Sequence, residues 1–249
     1  MIKIENVTIH GLEETIRGMR NPMNSWDKSD SGICGGGDKH IGCDNCCEHD
    51  CGHSFDGDFH VGKADYKLMM KLAAGGPVHA KYRRMITVYL DITAPLYWWK
   101  EFDTYKVGTV ANSCSTMHKI HAKEFTMDDF SHEQLLGMFQ HYDERKIPLL
   151  DISPYKDGSI TWSPLGILEQ TIKLLNICRA EFLETKDKTY WWQMIQLLPS
   201  SYNQKRTVML NYEVLTGIYP MRKEHKLDEW REFCQWIENL PYSEIITLA

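Results

Sequence analysis

The chain has 249 residues, 43% hydrophobic and 25% charged, which is ordinary globular composition with enough apolar material for a sizeable core. A formal net charge of −6 argues against a long nucleic acid or an acidic membrane surface as partner, while leaving room for a local basic pocket that takes a small phosphate. No apolar run reaches the roughly 18–20 residues that span a bilayer, and the opening MIKIENVTIH lacks a secretory pattern, so a cytoplasmic protein is expected.

Ile2, Ile4, Val7 and Ile9 alternate imperfectly and predict an opening strand. From Asn21 to Gly62 the chain is polar and Gly-rich with little periodicity; irregular stretches of that length are functional, metal-stapled or disordered. ADYKLMMKL over 64–72 predicts a short amphipathic helix, stopped by Gly75-Gly76-Pro77. MITVYLDI over 85–92 is β-branched and alternating, hence a strand, and Pro95 opens a helix through PLYWWKEFDTY. VGTVANSCS over 107–115 is small and polar and reads as loop. Ser131 can cap a helix over 131–146. Ser163-Pro164 begins the clearest helix, with Leu165, Leu168, Ile172, Leu175 and Phe182 at 3–4-residue spacing. Helices are expected over Lys188–Leu198, Arg206–Tyr219 and Leu227–Leu240. With no internal repeat and no convincing linker, the pattern predicts a single α+β domain over 1–249, with 31–62 as a Cys/His-rich insertion.

Five of the eight cysteines crowd into that insertion: Cys34, Cys43, Cys46, Cys47 and Cys51, with His53 close behind. Cys43-x-x-Cys46 lets two thiolates reach one tetrahedral ion from a tight turn, and Cys51 or His53 can complete the set. The loop has few apolar residues, so bound metal would organise it in place of a core. Thiolate and imidazole donors favour zinc, with an iron–sulfur cluster second. The competing reading is a solvated loop with free thiols.

From Leu68 onward the order of features resembles the flavin-dependent thymidylate synthase family. In that family a short helix ends in a Gly-His turn, a strand runs into an Ala-Pro step, and the signature RHRxxSxNExSxR follows. Here the same order reads GGPVHAKYRRMITVYLDITAPLYWWKEFDTYKVGTVANSCSTMHK. Near the C-terminus the family's Leu-Pro pair, Asn-bearing helix and Leu-Arg step are matched by Leu198-Pro199, Asn211 and Met221-Arg222. The likeness covers roughly 64–119 and 190–239. Laid without gaps from Ala94-Pro95, the family's RHR falls on Thr104, Tyr105 and Lys106, its first serine on Thr109 and its second on Cys114. Only Lys106 keeps a cation there, and a lysine cannot copy arginine's bidentate grip on phosphate.

The resemblance implies a thymidylate synthase-like sheet with helices and a homotetramer with active sites between subunits. It implies a flavoprotein with FAD that methylates C5 of dUMP, with methylenetetrahydrofolate as the carbon donor. Arg222 would be the catalytic group at the pyrimidine, and Asn112, Ser113 and Ser115 would bind the nucleotide with it. His79, Tyr105, Lys106 and Asn211 would touch the cofactor. Each has a plainer reading: Arg222 as a helix-terminal ion pair, Asn211 as a polar face residue, His79 as a loop histidine. Three functions remain open, namely a divergent pyrimidine-nucleotide one-carbon transferase, a non-catalytic nucleotide-binding protein, and a metal-stabilised interaction protein. Cys114 beside His118 and His121 also admits a thiol nucleophile with a base.

Overall fold

The computed structural model describes residues 2–33, 59–137 and 163–248. The elements are β1 (Lys3–His10), α1 (Leu12–Arg20), β2 (Gly32–Ile33), β3 (Phe59–His60), α2 (Lys63–Ala74), β4 (Thr87–Pro95), α3 (Leu96–Phe102), β5 (Val110–Ser113) and α4 (Thr116–Lys119). They continue with α5 (Pro164–Thr185), α6 (Lys188–Leu197), β6 (Asn203–Asn211), α7 (Tyr212–Arg222), α8 (Asp228–Glu238) and α9 (Glu244–Thr247). The fold is α+β, as expected. The main sheet runs in the order β1-β4-β6-β5, and β2 pairs antiparallel with β3, Gly32 opposite His60. Among the described residues no helix is long and apolar enough to cross a membrane.

Burial follows the period of each element. Val88, Leu90, Ile92 and Ala94 on β4, and Val208 and Leu210 on β6, point to one buried face, the period-2 signature of a strand. In β1, Ile4 and Ile9 are both half-buried although five residues apart, and left-handed Asn6 (φ 53) between them shifts the phase. Three expectations are corrected. The helix expected over Arg206–Tyr219 is instead the end of β6 followed by α7. The loop expected over 107–115 contains β5, a strand with every residue exposed and therefore no alternation to read. Residues 131–137 form turns rather than a helix, and 138–146 of that expectation lie outside the described residues. In addition, α1 was not anticipated.

The chain divides into two compact units. The larger comprises Ile2–Ile92, Phe102–Asn112 and Thr207–Ala249. Its core gathers Leu215 and Ile218 of α7, Trp230, Phe233 and Ile237 of α8, and Ile245 and Ile246 of α9, all buried. The smaller comprises Thr93–Glu101 and Ser113–Arg206, where α5 packs on α6 around Ile120, Phe125, Phe130, Leu168, Leu175 and Met194. Trp98 and Trp99 are buried there edge-to-face, so these two tryptophans serve packing.

An ionic cluster fixes the start of α2 in the larger unit. Asp65 is fully buried and accepts from Arg20 Nε at 2.5 Å, Ser29 Oγ at 2.6 Å, Ser31 Oγ at 2.7 Å and the Asp30 and Ser31 amides. Asp30 in turn accepts from the Ala64 and Asp65 amides, supplying α2 with a cap from outside its own sequence. Gly62 permits this approach, since a Cβ there would lie 2.3 Å from Asp30. Burial alone would raise the Asp65 pKa; its hydrogen bonds from Ser29, Ser31 and Arg20 hold it below the ordinary 3.8.

Asp65→Asn leaves the Arg20 guanidinium buried without its counter-charge and is expected to destabilise the fold by ~3–5 kcal/mol in urea titrations. A depressed carboxyl contributes stability that is fully present above 3.8 and is lost as pH falls through the lower folded value. Acid unfolding followed by circular dichroism should therefore show this component in the wild type and not in Asp65→Asn. Equal acid profiles would remove Asp65 from the account.

Candidate functional site

In the larger unit the site is organised by α7. The Asn211 side chain caps it, its Oδ1 accepting from the Val214 amide at 3.1 Å, and Glu213 lies in the first turn while Arg222 lies in the last. That arrangement suits the helix dipole at both ends. The Arg222 guanidinium sits 4.4 Å from the centroid of the Trp230 ring and 5.6 Å from that of Tyr105, and its Nε donates to the Tyr105 hydroxyl at 2.9 Å. Trp230 is fully buried, wedged against Phe102 and Phe233, so the platform beneath the guanidinium is rigid. An arginine stacked on an indole keeps its charge and a defined plane, which suits a flat, electron-rich ligand.

The segment Tyr105–Gly108 runs along the same helix. Tyr105 meets Arg222 at the C-terminal end, whereas Gly108 meets the N-terminal end, ~16 Å away over the eleven residues of α7. Gly108 has φ +80, and a Cβ there would lie 3.0 Å from Val214 Cγ2 and 3.1 Å from Asn211 Nδ2. Lys106 is exposed, and Val107 is 92% exposed. Next to them the Thr109 hydroxyl is buried without a hydrogen-bond partner among the described residues, although a buried hydroxyl ordinarily finds one. Asn112 is exposed on β5. His79 is exposed too, its ring lying against Gly75, where a Cβ would come within 3.2 Å. It opens a 3-10 turn (Ala80–Arg84) whose Arg83 donates to Glu213 at 2.9 Å and to the Ile245 carbonyl at 3.0 Å. The His79 turn is thereby fastened to the Asn211 end of α7.

The smaller unit holds the remaining candidates. Cys114 is pinned through its backbone, donating to the Lys205 carbonyl at 3.0 Å and accepting from Gln204 Nε2 at 2.9 Å. Ser115 accepts from the His118 amide at 3.0 Å and so caps α4. Both line a cleft of about 530 Å³ that also includes Lys119, Lys123, Tyr202 and Asn203. Lys123 is ion-paired with Asp129. Asn203 Nδ2 donates to the Asp128 carbonyl at 3.4 Å, and its buried Oδ1 has no partner among the described residues. Burial pushes the Tyr202 phenol above its ordinary pKa. The thiol–base pairing considered from the sequence does not form among the described residues: His121 Nδ1 is buried without a hydrogen bond, its ring edge-on to Phe182, and His118 engages Ser115 through its backbone.

Arg222, Tyr105, Lys106 and Asn211 thus share one helix and the segment alongside it, with His79 on the turn tied to that helix. Ser113 and Ser115 belong to the other unit. Trp230 went unremarked in the sequence, and nothing in linear spacing marks it, because its role comes from α8 folding back over α7. The metal candidates Cys34, Cys43, Cys46, Cys47, Cys51 and His53 lie outside the described residues, and among the described residues no three metal-ligating side chains converge.

No protein-family model and no curated protein sequence matches the chain. Solved structures do. The flavin-dependent thymidylate synthase ThyX from Helicobacter pylori, complexed with FAD and dUMP, aligns over 99% of this chain and 97% of its own with a TM-score of 0.57 and 12% identity. A second structure of that enzyme, also with FAD and dUMP, gives 0.54 and 13% identity over 98% and 94%. The UMP/dUMP methylase PolB from Streptomyces cacaoi, bound with 5-Br dUMP, gives 0.52 and 11% identity over 100% and 95%. The fold of this chain is the one these nucleotide enzymes share.

The Arg222 platform gives a ranked expectation. Trp230→Ala should cost ~3–5 kcal/mol as a buried aromatic truncation. Tyr105→Phe removes one hydrogen bond and should cost on the order of 1 kcal/mol. Urea unfolding of both variants checks the order; a Tyr105→Phe cost equal to that of Trp230→Ala would contradict it.

Proposed function

We propose that this chain is a divergent flavin-dependent one-carbon transferase acting at C5 of a dUMP-like pyrimidine nucleotide. The observation that carries the reading is Arg222, held by cation–π stacking and by the Tyr105 hydroxyl on a fold shared with enzymes bound to such nucleotides. A guanidinium so fixed can donate to the carbonyl edge of a pyrimidine and stabilise negative charge developing on the ring. Asn112, Ser113 and Ser115 offer neutral hydrogen bonds to the nucleotide, and methylenetetrahydrofolate would be the carbon donor.

The donor set suits FAD chiefly at its ring end. The Asn211 Nδ2, the exposed His79 and the Tyr105 ring are hydrogen-bonding and aromatic groups appropriate to a flat heterocycle, and the Thr109 hydroxyl, without a partner among the described residues, lies in the same segment. Lys106 alone would answer the diphosphate there. When bound, reduced FAD supplies the hydride equivalent of the reaction. The chain's own contribution is orientation: Arg222 fixes the pyrimidine, Tyr105 fixes Arg222, and the capped helix fixes both.

The single cation over 104–106 favours a second reading, in which the fold binds nucleotide without chemistry. Purified protein should be yellow, with flavin near one per chain, and should bind dUMP; colourless protein that still binds dUMP supports the second reading, and no binding of either sinks both. Arg222→Lys keeps the charge but not the plane, and dUMP affinity should fall roughly tenfold or more in calorimetry.

The same reading expects a homotetramer in the cytoplasm. Ile167, Leu174 and Ile177 form one exposed apolar stripe on α5, suited to a second copy. Leu174→Asp with Ile177→Asp should yield smaller species in sedimentation; unchanged mass would reject α5 as the contact. On spacing alone, the cysteine-rich segment is proposed to hold zinc, and metal analysis of protein purified without added zinc tests it.

A further inference from the structure

A second cavity, formed by α1 with residues 26–32 and Phe59, lies wholly within the larger unit and shares no residue with the Arg222 site. At about 250 Å³ it falls just short of the roughly 300–1,000 Å³ of drug-sized sites, so it suits a smaller molecule. Its apolar wall is the buried Ile16 with the half-buried Phe59. Trp26 adds an aromatic face: it is 50% exposed, yet its Nε1 donates to Asn21 Oδ1 at 2.8 Å, so the ring is held while its surface stays open. Glu13 and Arg17 both line the cavity one turn apart on α1, in the order that favours an i,i+4 ion pair, but no pair forms. Neither side chain has a partner among the described residues. On the same lining Arg20 is buried; Asp65 and Ser25 take its Nε and Nη1, and its Nη2 has no acceptor among the described residues. Since Asp65 neutralises Arg20 and Glu13 balances Arg17, a simple anion would face Glu13 and a simple cation would face Arg17. A molecule carrying both charges on an apolar body meets every part of the lining.

We propose that this cavity binds a free α-amino acid with an apolar side chain. Its carboxylate rests on Arg17 and the Arg20 Nη2, its ammonium on Glu13, and its side chain against Trp26, Ile16 and Phe59. Guanidinium nitrogens are the donors best matched to a carboxylate, and charge-assisted contacts of this kind are stronger than neutral ones. The site stands independently of the nucleotide and flavin readings. It adjoins the Arg20–Asp65 cluster that fixes the start of α2, so a ligand bound there to the folded chain stabilises it.

Calorimetry and thermal unfolding with L-phenylalanine and L-leucine test the site. Hydrocinnamate and phenethylamine serve as analogues, each keeping the apolar body of phenylalanine and deleting one charge. At least one of the two amino acids is expected to bind and to raise Tm with concentration, and each analogue should bind roughly tenfold or more weakly than L-phenylalanine. Arg17→Gln should weaken the amino acid roughly tenfold or more, and Glu13→Gln should do the same without weakening hydrocinnamate. Trp26→Ala should weaken it severalfold. Lys28→Gln, an exposed charge on the turn of Trp26 but outside the lining, should change neither affinity nor Tm shift. Glu13, Arg17 and Trp26 are exposed, so their variants should unfold as the wild type does without ligand. No heat and no Tm shift with either amino acid at millimolar concentration overturns the proposal. Hydrocinnamate binding as tightly as L-phenylalanine overturns the zwitterion, and undiminished affinity in both Arg17→Gln and Trp26→Ala overturns the site.

Discussion

A guanidinium laid over an indole organises the candidate site. Trp230 can carry Arg222 only because Phe102 and Phe233 immobilise its ring, and Tyr105 can reach Arg222 only because its segment lies along α7. Two stretches distant in sequence, 102–105 and 222–233, converge on one cation. Charge, plane and position of that cation are all set by the fold itself.

Much of the architecture was readable because burial follows period. Val88, Leu90 and Ile92 announce β4 by alternation, and Leu168, Ile172 and Leu175 announce α5 by helical spacing. β6 was misread for a specific reason. Val208, Leu210 and Tyr212 repeat every second residue, whereas Tyr212, Leu215 and Ile218 repeat every third, so Tyr212 belongs to both series and the join disappears. Asn211, the last residue of the strand and the cap of the helix, is the one local sign of the change. β5 was invisible because none of its side chains is buried; its pairing with β6 holds it.

The candidate site was less readable than the fold. Family resemblance drew attention to Arg222, Asn211 and Tyr105, but a link between residues 117 apart has no local signature. The Trp230 platform and the glycine at 108 emerge only when helix and segment are seen side by side. The anchoring of His79 through Arg83 and Glu213 is likewise a product of tertiary contact. Sequence periodicity reports which face of an element is buried; it does not report which other element covers it.

The left-handed backbone at Gly108 carries a consequence for how this surface can diversify. With φ +80 and with Val214 Cγ2 and Asn211 Nδ2 within 3.1 Å of where a Cβ would stand, that position strains any side chain. Lys106 and Val107 project outward and meet no such restriction. Side chains at 106 and 107 can therefore change one at a time while the path of the segment stays fixed by the glycine behind them.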